Sequence, residues 1–149
     1  MYPPADQGAT APSDLGIKAT VLWRYYNDLA AIQQFYEQTF GLELTVDQGW
    51  AKVYQTSPTG YIGLVDGEPG MRNATAEKAV TVSFFTDDIL GWFNYARDEQ
   101  AFELRSEAVS EADDRFLAFV GYDPEGYFLE FDTFLEHEAN TELLETLGR

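Results

Sequence analysis

Two charged residues, Glu130 and Lys52, interrupt stretches of aromatic and aliphatic residues that are typical of β-strands. Charged side chains are rarely buried unless they are paired, so both positions are candidates for chemistry or ligand binding. A lone carboxylate such as Glu130 could act as a general base, with Lys52 or Tyr54 stabilising developing negative charge. The alternative is a Lys52–Glu130 ion pair that only braces the fold.

Several other kinds of site find no support in the sequence. The chain has no cysteine, which excludes disulfides and thiolate chemistry. Its single histidine, His137, follows the last predicted strand, and neither a nucleophile–base pair nor a phosphate-binding loop is present. A net charge of -17 argues against nucleic-acid binding, and no apolar run is long enough for a membrane span. The charge indicates solubility or attraction of a cationic ligand.

The elements that position these residues are encoded twice. Residues 21–44 align without gaps on residues 81–104, and residues 57–66 align without gaps on residues 123–132. In the second alignment Pro, Gly, Tyr and Asp recur at matching places. Each copy predicts a strand, an acidic helix cap, a helix and three further strands. The chain therefore contains two βαβββ units in tandem.

The predicted elements form one domain with five segments. Helices are predicted after Asn27-Asp28 and after Asp87-Asp88, where apolar residues recur at helical spacing. Strands are predicted over residues 18–26, 42–46, 50–55, 61–65, 80–86, 102–105, 116–122 and 127–133, with an acidic connector over 106–114. The segments are a flexible lead-in (1–16), the first unit (17–66), a linker (67–79), the second unit (80–134) and a C-terminal helix (135–149).

This arrangement resembles the vicinal oxygen chelate superfamily, which includes glyoxalase I, bleomycin-resistance proteins, fosfomycin-resistance enzymes and extradiol dioxygenases. Residues 27–36, followed by Phe40-Gly41-Leu42, are similar to that family's first helix, and residues 123–131 are similar to its closing strand. The resemblance implies an α+β fold in which tandem βαβββ modules form a cupped mixed sheet with helices outside. It also implies a small-molecule site inside the cup and a homodimer.

Metal-dependent members of that family hold a divalent ion with one inward residue from the first and last strand of each module. The resemblance assigns these positions to Val21, Leu64, Thr81 and Glu130. Only Glu130 is a strong ligand, and Thr81 offers a weak neutral oxygen. A divalent transition ion needs three or more donors. We therefore predict neither a metal ion nor another cofactor.

Alternation of side chains along each strand predicts which residues line the cup. If Val21 and Thr81 face inward, every second residue of their strands does so too, which places Arg24 outside, under the first helix. In the third strand the small residues Ala51 and Val53 suit packing under a helix, so their neighbours should face the cup. The predicted ligand-binding residues are Trp23, Tyr25, Trp50, Lys52, Tyr54, Thr81, Ser83, Phe85 and Glu130.

Two functions compete. The first is metal-independent binding of a small aromatic or cationic molecule, since bleomycin-resistance proteins, which the chain resembles in charge and missing metal ligands, bind cationic aromatic drugs by stacking. The second is a lyase- or isomerase-type enzyme of the same superfamily with Glu130 as general base. A structural module without a ligand is the third alternative. We expect a cytoplasmic protein, and export after removal of a signal stays open.

Overall fold

The computed structural model describes residues 16–148, so nearly all of the predicted lead-in lies outside the described residues. The first module forms one mixed sheet in the order β1-β4-β3-β2, with β1 and β4 parallel and the other pairs antiparallel. Its elements are β1 (Thr20–Tyr26), α1 (Leu29–Thr39), β2 (Leu44–Asp47), β3 (Ala51–Gln55) and β4 (Gly60–Asp66).

The second module repeats this plan with one more strand. Its elements are β5 (Thr81–Phe85), α2 (Ile89–Asp98), β6 (Glu103–Leu104), β7 (Ser110–Ala112), β8 (Phe116–Tyr122) and β9 (Phe128–Phe134). The sheet order is β5-β9-β8-β6, and β7 also pairs with β8. Strand β7 lies within the predicted acidic connector. Its sequence, Ser-Glu-Ala, shows no alternation of apolar and polar residues, so the pattern did not predict a strand there. Such a short strand buries little apolar surface.

The two Asp-capped helices are confirmed. The Asp28 carboxylate accepts the Ala31 amide at 3.0 Å, and the Asp88 carboxylate accepts the Gly91 amide at 3.0 Å. A cap of this kind contributes about 1 kcal/mol. The predicted C-terminal helix is a 3₁₀ turn (Glu138–Asn140) followed by α3 (Thr141–Thr146).

The two modules share one core on the helix-bearing sides of their sheets. Phe40, which follows α1, packs in the second module with ring centroids 5.3 to 6.2 Å from its partners. Those partners are Phe84, Trp92, Phe102 and Phe131. The opposite side of each sheet, here called the cup-side face, carries half-exposed aromatic rings such as Trp23 and Phe85.

A buried cation joins the modules at this core. Arg24 lies under α1, as predicted, and its guanidinium is 3.9 Å from the Asp123 carboxylate of the second module. The guanidinium carbon lies over the rings of Tyr36 at 4.9 Å, Tyr127 at 5.4 Å and Tyr26 at 5.8 Å. None of its nitrogens has a hydrogen-bond partner among the described residues. Ring faces and one carboxylate therefore hold this charge out of water.

The structure matches the closing strands of the two modules, β4 and β9, with an offset of one residue from the gap-free sequence alignment. Pairing of β1 with β4 places Gly63 beside Trp23, and pairing of β5 with β9 places Glu130 beside Ser83. Because Trp23 and Ser83 are equivalent, Gly63 is the counterpart of Glu130, and the assignment of Leu64 to the metal position is wrong. A shift of one residue moves a side chain to the other face, and Leu64 is fully buried on the helix side.

Candidate functional site

In strand β3, Ala51 and Val53 lie on the cup-side face, although they were predicted to face the helix. Pairing places Val53 beside Gly63, which in turn lies beside Trp23. Lys52 and Tyr54 therefore lie on the helix side, and their predicted inward orientation is wrong. Small residues lie on the cup-side face because the Trp23 ring occupies the space above them: a Cβ at position 63 would lie 2.1 Å from Trp23 Cε3.

Both misplaced residues have partners in their own module. The Tyr54 hydroxyl is buried and donates to Glu37 of α1 at 2.7 Å; burial and this carboxylate raise the pKa of Tyr54. The Lys52 ammonium donates to Asp47 at 2.6 Å, and this hydrogen bond lowers the pKa of Asp47. The ion pair that Lys52 forms is thus with Asp47, not with Glu130.

An apolar cavity of about 250 Å³ opens on the cup-side face of the first sheet. We call it the indole pocket, and its lining residues are Trp23, Tyr25, Gln48, Trp50, Val65 and Met71. Trp23 and Trp50 are 43% and 47% exposed, which is unusual for such large apolar rings. Three of the predicted site residues, Trp23, Tyr25 and Trp50, therefore come together in one cavity.

The linker supplies a wall of this pocket that the sequence analysis missed. Gly70 lies so close to the sheet that a Cβ there would be 2.8 Å from Val65 Cγ1 and 3.3 Å from Tyr25 Cε1. The Gly70 amide donates to the Asp66 carbonyl at 3.0 Å, which closes a tight turn directly after β4. The turn carries Met71 to the pocket. The Gly-Glu-Pro-Gly sequence signals the turn but not where the turn packs.

A second, more polar cavity adjoins the first. It has a volume of about 540 Å³, and we call it the linker cavity. Its lining residues are Tyr25, Met71, Arg72, Asn73, Thr75 and Tyr127. The Tyr127 hydroxyl donates to the Tyr25 carbonyl at 3.0 Å and accepts the Tyr25 amide at 3.0 Å. This pair of bonds fixes the end of β1 against the second module, at the boundary of the two cavities.

The other predicted site residues lie on the cup-side face of the second sheet and do not line the indole pocket. Thr81, Ser83 and Phe85 are exposed there, and the Ser83 hydroxyl donates to Glu130 at 2.9 Å. Asp132, two residues further along β9, is nearly fully buried. Burial, the charge of Glu130 and a hydrogen bond with Glu130 raise the pKa of Asp132 to about 7. Asp132 can therefore hold a proton near neutral pH.

The residues at the metal positions do not fit a metal ion. After the register correction these positions hold Val21, Gly63, Thr81 and Glu130. One carboxylate and one hydroxyl fall short of the three donors that a transition ion needs. Within residues 16–148, no group of three or more His, Asp or Glu side chains is arranged to hold a metal. The Trp23 ring also covers Gly63, where a ligand side chain would begin.

Comparison with known proteins gives a family match. Residues 17–131 match the model of the Glyoxalase/Bleomycin resistance protein/Dioxygenase superfamily, which confirms the resemblance seen in the sequence. Comparison with curated proteins gives no match. Among residues 16–148, none of the helices has the length and apolar character needed to cross a membrane.

Solved structures share the α+β fold. A lactoylglutathione lyase from Agrobacterium tumefaciens superposes with a TM-score of 0.60 at 21% identity, covering 83% of this chain and 96% of that one. TioX from Micromonospora sp. ML1 gives 0.63 at 14% identity, covering 78% and 98%. A glyoxalase/bleomycin resistance protein/dioxygenase from Nocardioides gives 0.60 at 21% identity, covering 78% and 83%. At these identities the likeness concerns the fold alone.

Proposed function

We propose, since the chain belongs to the Glyoxalase/Bleomycin resistance protein/Dioxygenase superfamily, that it binds a small aromatic molecule without a metal ion. The observation that carries this proposal is the indole pocket, where Trp23 and Trp50 each leave nearly half of their surface exposed beside an apolar cavity. A flat ring in this cavity would cover both indoles and remove them from water.

The lining of the pocket favours recognition by ring shape. None of the described lining residues is charged, and Gln48 and Tyr25 carry the amide and hydroxyl groups of the lining. Aromatic contacts contribute about 0.5–1.5 kcal/mol each beyond the apolar area that they bury. Glu130 does not line the pocket, so the attraction of a cationic ligand would depend on the net charge of -17 and not on a nearby carboxylate.

Calorimetric titration with 2-naphthamide, a neutral two-ring probe, tests the proposal. Replacing either indole should weaken binding about tenfold or more, since each removes a stacking surface and apolar area. We therefore expect Trp23→Ala and Trp50→Ala to bind poorly. Leu90→Ala is the matched control, because Leu90 is 60% exposed but lies on α2, away from the pocket. Unchanged affinity in both Trp variants would contradict the proposal.

The alternative function, a lyase or isomerase with Glu130 as general base, has one observation in its favour. The neighbouring Asp132 carboxyl has a pKa raised to about 7 by burial and by Glu130, which suits proton exchange at neutral pH. The same 2-naphthamide titration tests this alternative. If the probe binds within reach of Glu130, the Glu130→Gln variant should bind it with a changed affinity. If the probe binds in the indole pocket alone, the affinity of this variant should be unchanged.

We also propose that the chain forms a homodimer through its cup-side faces. Phe85 is 50% exposed on the cup-side face of the second sheet, outside the indole pocket, and an exposed apolar ring at that place suits a surface that a partner covers. A second copy is the partner that the tandem architecture favours, because a twofold axis can set the first module of one copy against the second module of the other.

A further inference from the structure

We propose that the ligand also carries an anionic group, of the carboxylate or sulfonate type, and that Arg72 binds this group in the linker cavity. This inference rests on the proposed aromatic ligand of the indole pocket and extends it. It assigns a chemical class to the second half of the ligand, because the two cavities adjoin one another and differ in polarity.

The two cavities share two of their lining residues. Tyr25 and Met71 line both the indole pocket and the linker cavity, and Met71 is 92% exposed, so its side chain leaves the boundary between the two cavities open to solvent. The hydrogen bonds between Tyr127 and the Tyr25 backbone hold the shared wall at a fixed distance from the second module. A ring in the indole pocket would therefore direct a substituent toward Arg72, Asn73 and Thr75.

The linker cavity is lined by a positive charge, whereas the chain as a whole is strongly negative. The sequence contains 26 acidic and 9 basic residues, so a cavity that has a cation and no carboxylate in its lining is unusual for this chain. Arg24, Lys52 and Arg97 each pair with an aspartate. Arg72 forms no ion pair with any residue in the described part of the chain, and of the described residues that line its cavity none is acidic.

A second cation lies at the edge of the same cavity. The Lys78 ammonium donates to the Thr75 carbonyl and lies 4.7 Å from the centre of the Tyr127 ring. Thr75 and Tyr127 are both cavity walls. Asn73 adds an amide donor. An unpaired guanidinium with a nearby ammonium and an amide is the donor set that recognises a carboxylate or sulfonate, through a planar fork of N–H groups.

Three probes that share one ring system test this inference by calorimetry. They are 2-naphthoate, 2-naphthamide and 2-naphthylmethylammonium, which differ mainly in charge. We expect the anion to bind about tenfold more tightly than the amide, because a charge-assisted hydrogen bond is stronger than a neutral one. Arg72→Gln should remove this preference and leave the affinity for the amide unchanged.

Arg97→Gln is the matched control, since it removes the same charge from an exposed helix position where Arg97 pairs with Asp98. The preference for the anion should survive in this variant and should decrease with added salt. The inference is overturned if the anion binds no more tightly than the amide, if the cation binds best, or if Arg72→Gln keeps the preference.

The two proposals fail in different ways. If 2-naphthamide binds in a manner that depends on Trp23 and Trp50 but no probe charge is preferred, the aromatic site stands and the anionic subsite falls. If none of the three probes binds, both fall.

Discussion

Asp132 lies against Glu130 on the cup-side face of the second sheet, and its environment makes a pH prediction. Its unfolded pKa is about 3.9, whereas burial and the charge of Glu130 raise the folded value to about 7. Between these values the folded chain holds the proton more tightly than the unfolded chain does. The contribution of Asp132 to stability is therefore present at low pH and is lost as the pH rises through this window.

Asp132→Asn should accordingly stabilise the chain in alkaline buffer. We expect its free energy of unfolding in urea to exceed that of the unchanged chain by about 1 kcal/mol near pH 8, after allowance for solvent screening. Near pH 3 we expect almost no gain, because Asp132 is then largely protonated in both states. Asp98→Asn removes the same charge at an exposed site paired with Arg97. An equal gain in that variant would attribute the effect to net charge and contradict the prediction.

At the same scale, sequence alternation predicted part of the site. It correctly grouped Trp23 with Tyr25, because both follow one strand whose helix side is marked by Arg24 and Tyr26. It failed for Lys52 and Tyr54, since alternation states which residues share a face but not which face is which. Trp50 lines the pocket although Lys52 does not, because Trp50 precedes β3 and is outside the alternation of that strand. Side-chain size was the deciding criterion, and it misled because the small residues make room for an indole ring.

At the scale of elements, the order of the strands and helices other than β7 could be predicted, because most of these elements have a clear apolar periodicity or a helix cap. The register of the closing strands could not be predicted, because a gap-free alignment cannot detect the single extra residue that precedes β9. The packing of the linker was also beyond reach. Met71 and Arg72 lie in a segment without periodicity, and only tertiary contacts place them beside the pocket.

The Arg24–Asp123 pair joins the two modules, and this gives a prediction of non-additivity. Asp123→Asn leaves the buried Arg24 without its counter-charge and should destabilise the chain by about 3 kcal/mol or more. Arg24→Met in the same background removes the orphaned charge and should recover most of the loss. Urea unfolding of both single variants and the double variant measures the coupling.

The matched control for that cycle is the exposed pair of Arg97 and Asp98. Its double variant should show almost no coupling, because exposed ion pairs contribute little. Additive effects at Arg24 and Asp123 would show that the three tyrosine rings, and not the carboxylate, compensate the buried charge.

At the scale of the whole molecule, the net charge and the half-exposed cup-side faces act in opposition. Each chain carries a formal charge of -17, so two chains repel one another at long range. Apolar rings on the cup-side faces favour association when they come into contact. Salt screens the repulsion and strengthens apolar contact, so the proposed dimer should be more stable at high ionic strength.

Light scattering coupled to size exclusion tests this balance. We expect a mass of twice 16.8 kDa in high salt and a larger monomer fraction in low salt. Phe85→Lys places a charge on the cup-side face and should yield a monomer at every salt concentration. Leu90→Lys is the matched control, since Leu90 is also exposed but lies on α2. A monomeric mass at every salt concentration would contradict the proposed dimer. Equal dissociation of both variants would show that the chains associate through another surface, because a contact confined to the cup-side faces must be affected by Phe85→Lys and not by Leu90→Lys.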